Sequence, residues 1–239
     1  MWRYFISILF VLAVSVCRLQ AQDTIMFPQK FRIGVEVIGL SKYFYEKETA
    51  GIEAFFSADL TEKYSAIFIA GRSDYSSTLY RDETFMMYDF SVKGLYLKAG
   101  VDVNMLDVKK AAGKYSFGLG ARYGITGYTY NVAGITRENY WGQFQTSIPE
   151  RKALAHYFEV VPSIRAEIIK NFSLGWAISL RKMIYSGTEK DMKPVYVPGY
   201  GNGAKSISLA VSYFVIWHIP YKERRVIIPP KVQREIEED

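Results

Sequence analysis

Residues 207–219 read ISLAVSYFVIWHI, and their alternation decides the fold class. Large apolar side chains occupy the odd positions, whereas Ser208, Ala210 and Ser212 stand between them. Successive side chains of a β-strand point to opposite faces of its sheet. The stretch therefore predicts a strand that has one apolar face and one face of small or polar residues.

Seven segments upstream repeat this alternation. They cover residues 31–37, 52–60, 66–76, 88–104, 115–128, 157–168 and 172–181. The links after the second, fourth and sixth segments are short, whereas the links over residues 131–153 and 187–205 are long. Short turns at one end and long loops at the other are typical of bacterial outer-membrane barrels. We therefore predict an all-β chain that forms an eight-stranded antiparallel up-and-down transmembrane β-barrel, with both termini in the periplasm.

The composition of the two faces indicates which of them contacts lipid. A soluble lipocalin-like barrel would also have an apolar and a polar face, but its apolar face would point inward. Here the polar face is rich in glycine and serine, which fit the narrow interior of an eight-stranded barrel. Aromatic residues such as Phe31, Tyr123 and Trp217 stand toward the ends of the apolar face, as in the girdles of membrane barrels. The pattern therefore favours an apolar face in outer-membrane lipid.

The polar face also carries charges of both signs, and its cations are arginine with the exception of Lys98. Arginine suits ion pairing in a confined space, because its planar guanidinium group can bind a carboxylate through two hydrogen bonds. We therefore predict a charge network inside the lumen. Its expected members are Arg32, Glu36, Glu53, Asp59, Arg72, Asp74, Lys98, Asp102, Arg122, Glu159, Arg165, Glu167 and Arg181.

The N-terminal residues are expected to direct secretion. Arg3 precedes an apolar run over residues 5–17, and Ala21 offers a small residue before a cleavage site. The run is shorter than the roughly 20 residues that a membrane-spanning helix needs. Cys17 leaves a lipoprotein as an alternative, in which this residue would carry the lipid. The expected organisation is a signal peptide over residues 1–21, an outer-membrane barrel over residues 22–221 and a periplasmic C-terminal tail over residues 222–239.

The composition also excludes several kinds of site. One cysteine rules out a disulfide framework and a cysteine-based zinc site, and two histidines leave little for a metal centre. The net charge of +6 falls to +4 without the expected signal peptide, which carries Arg3 and Arg18 and no acidic residue, and so mild a charge gives little support to a nucleic-acid partner. His156 and Glu159 lie three residues apart on a strand and point to opposite faces, so we can assemble no Ser–His–acid set. We expect no catalytic, metal or cofactor site, and no enzyme activity.

The two long links differ in composition. The glycine-rich link over residues 187–205 lacks a Gly-Lys-Ser/Thr motif, which indicates a flexible outer loop rather than a phosphate site. The link over residues 131–153 contains Tyr140, Trp141 and Phe144. Aromatic side chains in a solvated loop either contact a partner or fold over the barrel mouth. These three residues are the candidate outer-loop contacts.

The leader ending Leu19-Gln20-Ala21-Gln22, the hairpin meander and the aromatic last strand over residues 211–217 resemble small outer-membrane β-barrel proteins of the Bacteroidota type. The last strand is similar to the aromatic signal that the barrel insertion machinery reads, although the chain continues beyond it. The resemblance implies an outer-membrane location and contact with that machinery during biogenesis. It implies no particular activity, because families of this type often have none assigned.

These observations favour a non-enzymatic outer-membrane protein with a structural, binding or assembly role. Its expected partners are outer-membrane lipid and a periplasmic or extracellular protein. A narrow passive pore is one alternative, and it would require an unobstructed lumen. A lipid-modifying enzyme is another, and it would require a nucleophile, a base and an acid in contact with one another.

Overall fold

Long β-strands make up most of the chain that the structure describes. The computed structural model describes residues 24–45, 49–81, 86–106, 114–140, 142–187 and 194–227. The expected signal peptide, and the expected tail from residue 228 onward, lie outside the described residues. In chain order the elements are β1 (Thr24–Glu36), α1 (Val37–Tyr45), β2 (Gly51–Asp59), β3 (Tyr64–Arg81), β4 (Met86–Asn104), β5 (Tyr115–Asn139), β6 (Gly142–Ile169), β7 (Phe172–Tyr185), β8 (Tyr196–Val197), β9 (Gly201–Asn202) and β10 (Ile207–Ile227).

Eight of the described strands close into a barrel. The order around the ring is β1-β10-β7-β6-β5-β4-β3-β2, so each strand neighbours the strands before and after it in the meander. The registered pairs are antiparallel. The strands β8 and β9 form a separate small hairpin within the link between β7 and β10. The prediction of an eight-stranded antiparallel up-and-down barrel is confirmed.

Strands β5 and β6 are much longer than the sequence pattern predicted. They contain 25 and 28 residues, and their pairing continues until Asn139 lies opposite Gly142. The link over residues 131–153, which we expected to be a long loop, is therefore mostly a β-hairpin, and that expectation is wrong. Register shifts occur between Tyr130 and Val132 and again before Ile135. Such shifts interrupt the alternation of side chains, which is why the pattern alone ended the strand too early.

The two faces of the barrel wall differ as the alternation predicted. Leu97 and Leu209 are each 66% exposed on the outer face, whereas Ser208 and Ser212 are buried on the inner face. Within the described residues, no helix is both long and apolar enough to cross a membrane.

The chain divides into two compact units. One is Pro28–Glu223, and the other joins Met1–Phe27 to Arg224–Asp239, of which residues 24–27 and 224–227 are described. Strand β10 continues to Ile227, so the expected tail begins as strand rather than as irregular chain. Everything described below lies within Pro28–Glu223.

The link between β7 and β10 is folded inward. Val197, Pro198 and Tyr200 are fully buried. Gly199 has a φ angle of +75° and Gly201 a φ angle of +104°, and these left-handed conformations reverse the chain between β8 and β9. The sequence pattern predicted a flexible outer loop here, and for the described part of the link that expectation is wrong. Its glycines serve the turn and the close approach to the barrel wall.

Candidate functional site in the barrel lumen

A buried charge network crosses the middle of the lumen. The Lys98 Nζ atom lies 3.0 Å from Glu53 Oε2 and 3.2 Å from Glu159 Oε1. The Arg181 Nε atom lies 2.7 Å from the same oxygen of Glu159. Lys98 is only 3% exposed and Glu159 is 0% exposed. We call these four residues, which come from β2, β4, β6 and β7, the central network.

Glycines on the inner face make room for the aromatic rings around this network. A Cβ atom on Gly71 would lie 2.3 Å from the Tyr96 ring, and one on Gly124 would lie 2.5 Å from the Tyr157 ring. The Tyr96 ring also lies 5.2 Å from the Lys98 ammonium group, which is close enough for a cation–π interaction. The glycines therefore pack the lumen, as the sequence pattern indicated.

The inserted hairpin of β8 and β9 is fixed to the barrel wall by hydrogen bonds. Arg181 donates to the Tyr200 carbonyl at 3.1 Å, and Thr126 donates to the Pro198 carbonyl at 2.9 Å. The hydroxyl groups of Ser73 and Tyr196 are 2.9 Å apart. These bonds reach the hairpin from three different strands.

Tyr196 at the start of the hairpin and Gly199 in its turn also pack against the interior of the barrel. Burial raises the pKa of the Tyr196 hydroxyl. A Cβ atom on Gly199 would lie 2.5 Å from the Tyr96 ring. The hairpin thus sits directly on the residues that surround the central network and covers it.

An apolar layer is the second barrier in the lumen. The rings of Phe55 and Phe214 meet edge to face, with their centroids 5.2 Å apart. Gly34 gives Phe55 its space, because a Cβ atom there would lie 2.2 Å from the ring. The buried members of this layer are Phe55, Ile67, Ile69, Val161, Ala177, Phe214 and Ile216. Sequence reasoning missed this layer because it assigned only polar and small residues to the inner face.

Further charged residues lie toward the end of the barrel that has the short turns. Arg32 pairs with Asp59, Lys30 with Glu167 at 2.6 Å, and Arg122 with Asp102 at 3.2 Å. Lys30 was absent from the predicted set because it precedes the segment whose alternation was recognised. Arg165 lies on the inner face of β6, and its charge interacts with those of Arg32, Asp59, Asp102 and Glu167.

The predicted charge network is therefore largely inside the barrel, with two exceptions. Arg72 and Asp74 lie on the outer face, where they pair with each other at 3.2 Å with side chains 58% and 39% exposed. Ile69 and Ser73 are buried on the inner face of β3, and because side chains alternate along a strand, Arg72 and Asp74 point outward. Our phase for this strand was wrong. Glu36 is buried but stands apart from the ion pairs, and its carboxylate accepts backbone N–H groups instead.

The aromatic residues predicted as outer-loop contacts lie at the tip of the β5–β6 hairpin. Tyr140 is 94% exposed in the turn, and Phe144 is exposed on β6. Trp141 lies outside the described residues. The hairpin presents Tyr140 and Phe144 to the surroundings instead of folding them over the barrel.

Residues 1–224 match the family profile described as "Domain of unknown function (DUF6048)". The chain belongs to this family. No curated protein matches the chain. Among solved structures, it is similar to Ail, the attachment invasion locus protein of Yersinia pestis, in complex with the heparin analogue sucrose octasulfate. That pair shares 8% identity, with a TM-score of 0.40 over 80% of this chain and 99% of Ail.

It is also similar to CarO of Acinetobacter baumannii, with 12% identity and a TM-score of 0.36 over 82% of this chain and 98% of CarO. For CarO2 of the same organism, the identity is 10% and the TM-score 0.37, over 82% of this chain and 100% of CarO2.

The two histidines of this DUF6048 chain are placed on opposite faces of the wall. His156 Nδ1 lies 2.8 Å from the Tyr123 hydroxyl on the outer face. His218 Nε2 lies 2.6 Å from Ser173 Oγ inside the barrel, a contact that sequence reasoning missed. Both partners of that contact are almost fully buried, and His218 Nδ1 has no hydrogen-bond partner in the described structure.

Proposed function

We propose that this protein is a non-enzymatic outer-membrane β-barrel with a closed lumen, which acts through its surfaces outside the membrane in a structural, binding or assembly role. The observation that carries the proposal is the belt of exposed apolar side chains around a barrel that holds its charges inside. Leu97, Trp176 and Leu209 are examples, and each is more than half exposed. A surface of this kind is suited to lipid, whereas in water it would promote aggregation.

The closed lumen supports a role other than transport. The central network fills the middle of the barrel, the β8–β9 hairpin covers it, and the apolar layer forms a separate barrier. Side chains fill the interior of an eight-stranded barrel readily, because its diameter is small. The alternative function, a narrow pore, predicts ion conductance through the lumen, which can be measured.

The β5–β6 hairpin supports a binding or assembly role. A strand needs only about 9–11 residues to cross a membrane, whereas β5 and β6 contain 25 and 28 residues. The hairpin therefore projects well beyond the bilayer if the barrel is inserted. Its exposed Tyr140 and Phe144 are the kind of aromatic residues that form protein contacts. We propose that this tip faces the cell exterior, that both termini are periplasmic, and that the barrel insertion machinery reads the aromatic last strand.

The location is tested by expressing the full chain and following it through membrane fractionation and heat-modifiable electrophoresis. We expect it in the outer membrane, with a folded form that migrates differently from the boiled form. Protease sites placed at Tyr140 and at Lys170 should differ in intact cells, with cleavage only at Tyr140. Recovery of folded protein from the soluble fraction would refute the location, and cleavage only at Lys170 would reverse the orientation.

The role is tested on the same protein in two further ways. Planar-bilayer recordings should show no steady conductance, and steady conductance would favour the pore. A crosslinker placed at Phe144 should capture a partner in native membranes that is not captured from Thr61, in a short turn at the opposite end. Equal labelling from both positions would argue against a contact surface at the hairpin tip.

A further inference from the structure

The barrel wall is incomplete where β1 ends. Glu36 is the last residue of β1, and its Oε1 atom lies 3.5 Å from the backbone nitrogen of Tyr213 on β10. The carboxylate also accepts the N–H groups of Ile38 at 2.9 Å and Gly39 at 2.5 Å. Because β10 runs antiparallel to β1, residues 207–212 lie beyond the end of β1 and have no β1 residue beside them.

Helix α1 follows β1 and contacts the start of β2. A Cβ atom on Gly39 would lie 2.8 Å from the Gly51 carbonyl oxygen, so the start of the helix is in close contact with the start of β2. This placement covers the β2 side of the gap. The remaining opening lies between α1 and the edge of β10.

A cavity of about 210 Å³ occupies this opening. Its lining includes Glu53, Tyr96 and Arg181 from inside the barrel. The lining also includes Val211, which is 51% exposed on the outer face, and Ile38 of α1, which is exposed as well. Residues of the lumen, of α1 and of the edge of β10 therefore line one cavity.

The opening lies at a depth where lipid would meet it. The His218 N–H group binds the carbonyl of Asn171 at the short β6–β7 turn, which marks that end of the barrel. Val211 lies seven residues before His218 on β10, toward the other end of the barrel. Seven residues correspond to about 18 Å along the barrel axis for a strand tilted by about 40°. The apolar band of a membrane barrel is about 25 Å tall. If the band begins at the level of the short turns, Val211 lies within it, in the half farther from those turns.

The cavity carries charges of both signs that are suited to a zwitterion. Glu36 and Glu53 supply carboxylates, and Lys42 and Arg181 supply cations. Arg181 and Glu53 already belong to the central network. No described cation forms an ion pair with Glu36, while the Lys42 ammonium group has Thr49 Oγ1 at 3.4 Å as its hydrogen-bond partner. Glu36 can therefore accept an ammonium group, and Lys42 can bind a phosphate.

We propose that this cavity binds the head group of a zwitterionic phospholipid, which enters sideways between α1 and β10. The ammonium group of the lipid contacts Glu36 and its phosphate contacts Lys42. The acyl chains lie outside against Val211, Leu209 and Ile38, all of which are exposed and apolar. This inference rests on the proposed insertion of the barrel in a membrane.

The test uses the full barrel, purified in detergent and delipidated, with bound lipid measured by native mass spectrometry. Phosphatidylethanolamine and phosphatidylglycerol are the probes, because they share the phosphate and the acyl chains but only the first carries an ammonium group. We expect the unmodified protein to retain phosphatidylethanolamine about tenfold better, since one charge-assisted hydrogen bond contributes about 1.5 kcal/mol. E36Q should bring this ratio close to one, and K42M should lower retention of both lipids. D89N is the matched control and should retain the preference, because Asp89 is an exposed carboxylate that bonds Thr78 and does not line the cavity.

Two results would overturn the proposal. Equal retention of both lipids by the unmodified protein, unchanged in E36Q, would show that the cavity does not read the ammonium group. Displacement by tail-free glycerophosphoethanolamine as effectively as by the intact lipid would refute entry from the membrane. Heat-modifiable migration of each variant is measured first. A barrel that folds and inserts but shows no lipid preference disproves only this inference, whereas failure of the unmodified protein to insert disproves the proposed function.

Discussion

Replacing Lys98 with methionine tests whether the lumen is held closed by the central network. The Lys98 ammonium group lies within 3.2 Å of two buried carboxylates, Glu53 and Glu159. Its removal leaves Arg181 as the remaining cation of the network for both carboxylates. Removing one partner of a buried ion pair costs about 3–5 kcal/mol, because the remaining charge loses its partner without regaining water. That is a large part of the roughly 5–15 kcal/mol that stabilises a typical folded protein.

The effect is measured as the urea midpoint of protein folded into vesicles, followed by tryptophan fluorescence and by heat-modifiable migration. K63M is the matched control, because it makes the same change at Lys63, which is exposed in the short turn between β2 and β3. Substitutions at exposed sites change stability little, so K63M should leave the midpoint almost unchanged. Adding E53Q to K98M should recover part of the lost stability, since it removes one of the uncompensated carboxylates. Equal midpoints for K98M and K63M would refute the reasoning.

Two further substitutions test the lipid-facing surface and the inserted hairpin. L97R should destabilise the vesicle-embedded barrel by about 2–4 kcal/mol if the site is near the bilayer midplane. F144R, near the tip of the β5–β6 hairpin, where Phe144 is 62% exposed, should lower the free energy of unfolding much less. Equal tolerance in a urea titration would mean that the outer face is not in lipid. G199A should lower the free energy of unfolding by about 1 kcal/mol or more, since alanine is strained at positive φ and its Cβ atom would collide with the Tyr96 ring. G127A, where no heavy atom lies within 4 Å of the new Cβ atom, is its control, and an equal loss there would exclude the collision as the cause.

The sequence predicted the barrel because a two-residue period survives wherever one face of a strand meets lipid and the other meets a packed lumen. Residues 207–219 show this directly, since Leu209 and Trp217 are exposed and Ser208 is buried. The number of strands and their order followed from counting such segments and from the lengths of the links. The charge network followed for the same reason, because charged residues that share a face with glycine and serine have no place other than the interior.

The alternation could not predict where the inner face becomes apolar. Phe214 and Ile216 occupy even positions of the last strand and point inward. On β3, Ile67 and Ile69 also point inward, so the apolar residues of that strand marked the wrong face and Arg72 was misplaced. When a strand has large apolar residues on both faces, its sequence does not show which face points into the lumen. Contacts across the barrel, such as the one between Phe55 and Phe214, determine which residues point inward.

The insertion of the β8–β9 hairpin could not be predicted either, because it depends on hydrogen-bond partners that are distant in sequence. Thr126 and Arg181 reach the hairpin from two strands that are separated by β6. Glycine and proline marked a turn in this link, but the same residues occur in solvated loops and in tightly packed ones. A tightly packed link differs from a solvated one in having a packed surface to lie against. Here the Tyr96 and Tyr157 rings, which occupy the space beside Gly71 and Gly124, form part of that surface, and they come together only once the barrel has closed.

The lumen has two barriers that do not depend on each other. The central network consists of wall residues, so it would remain if the β8–β9 hairpin moved away. The apolar layer around Phe55 and Phe214 also belongs to the wall and contains no charged group that hydration could stabilise. Opening a continuous water path would therefore require exposing paired charges and separating packed rings at the same time. The hairpin also lines the cavity beside β10, through Tyr196 and Gly199. The lining of that cavity, unlike the central network and the apolar layer, therefore depends on where the hairpin sits.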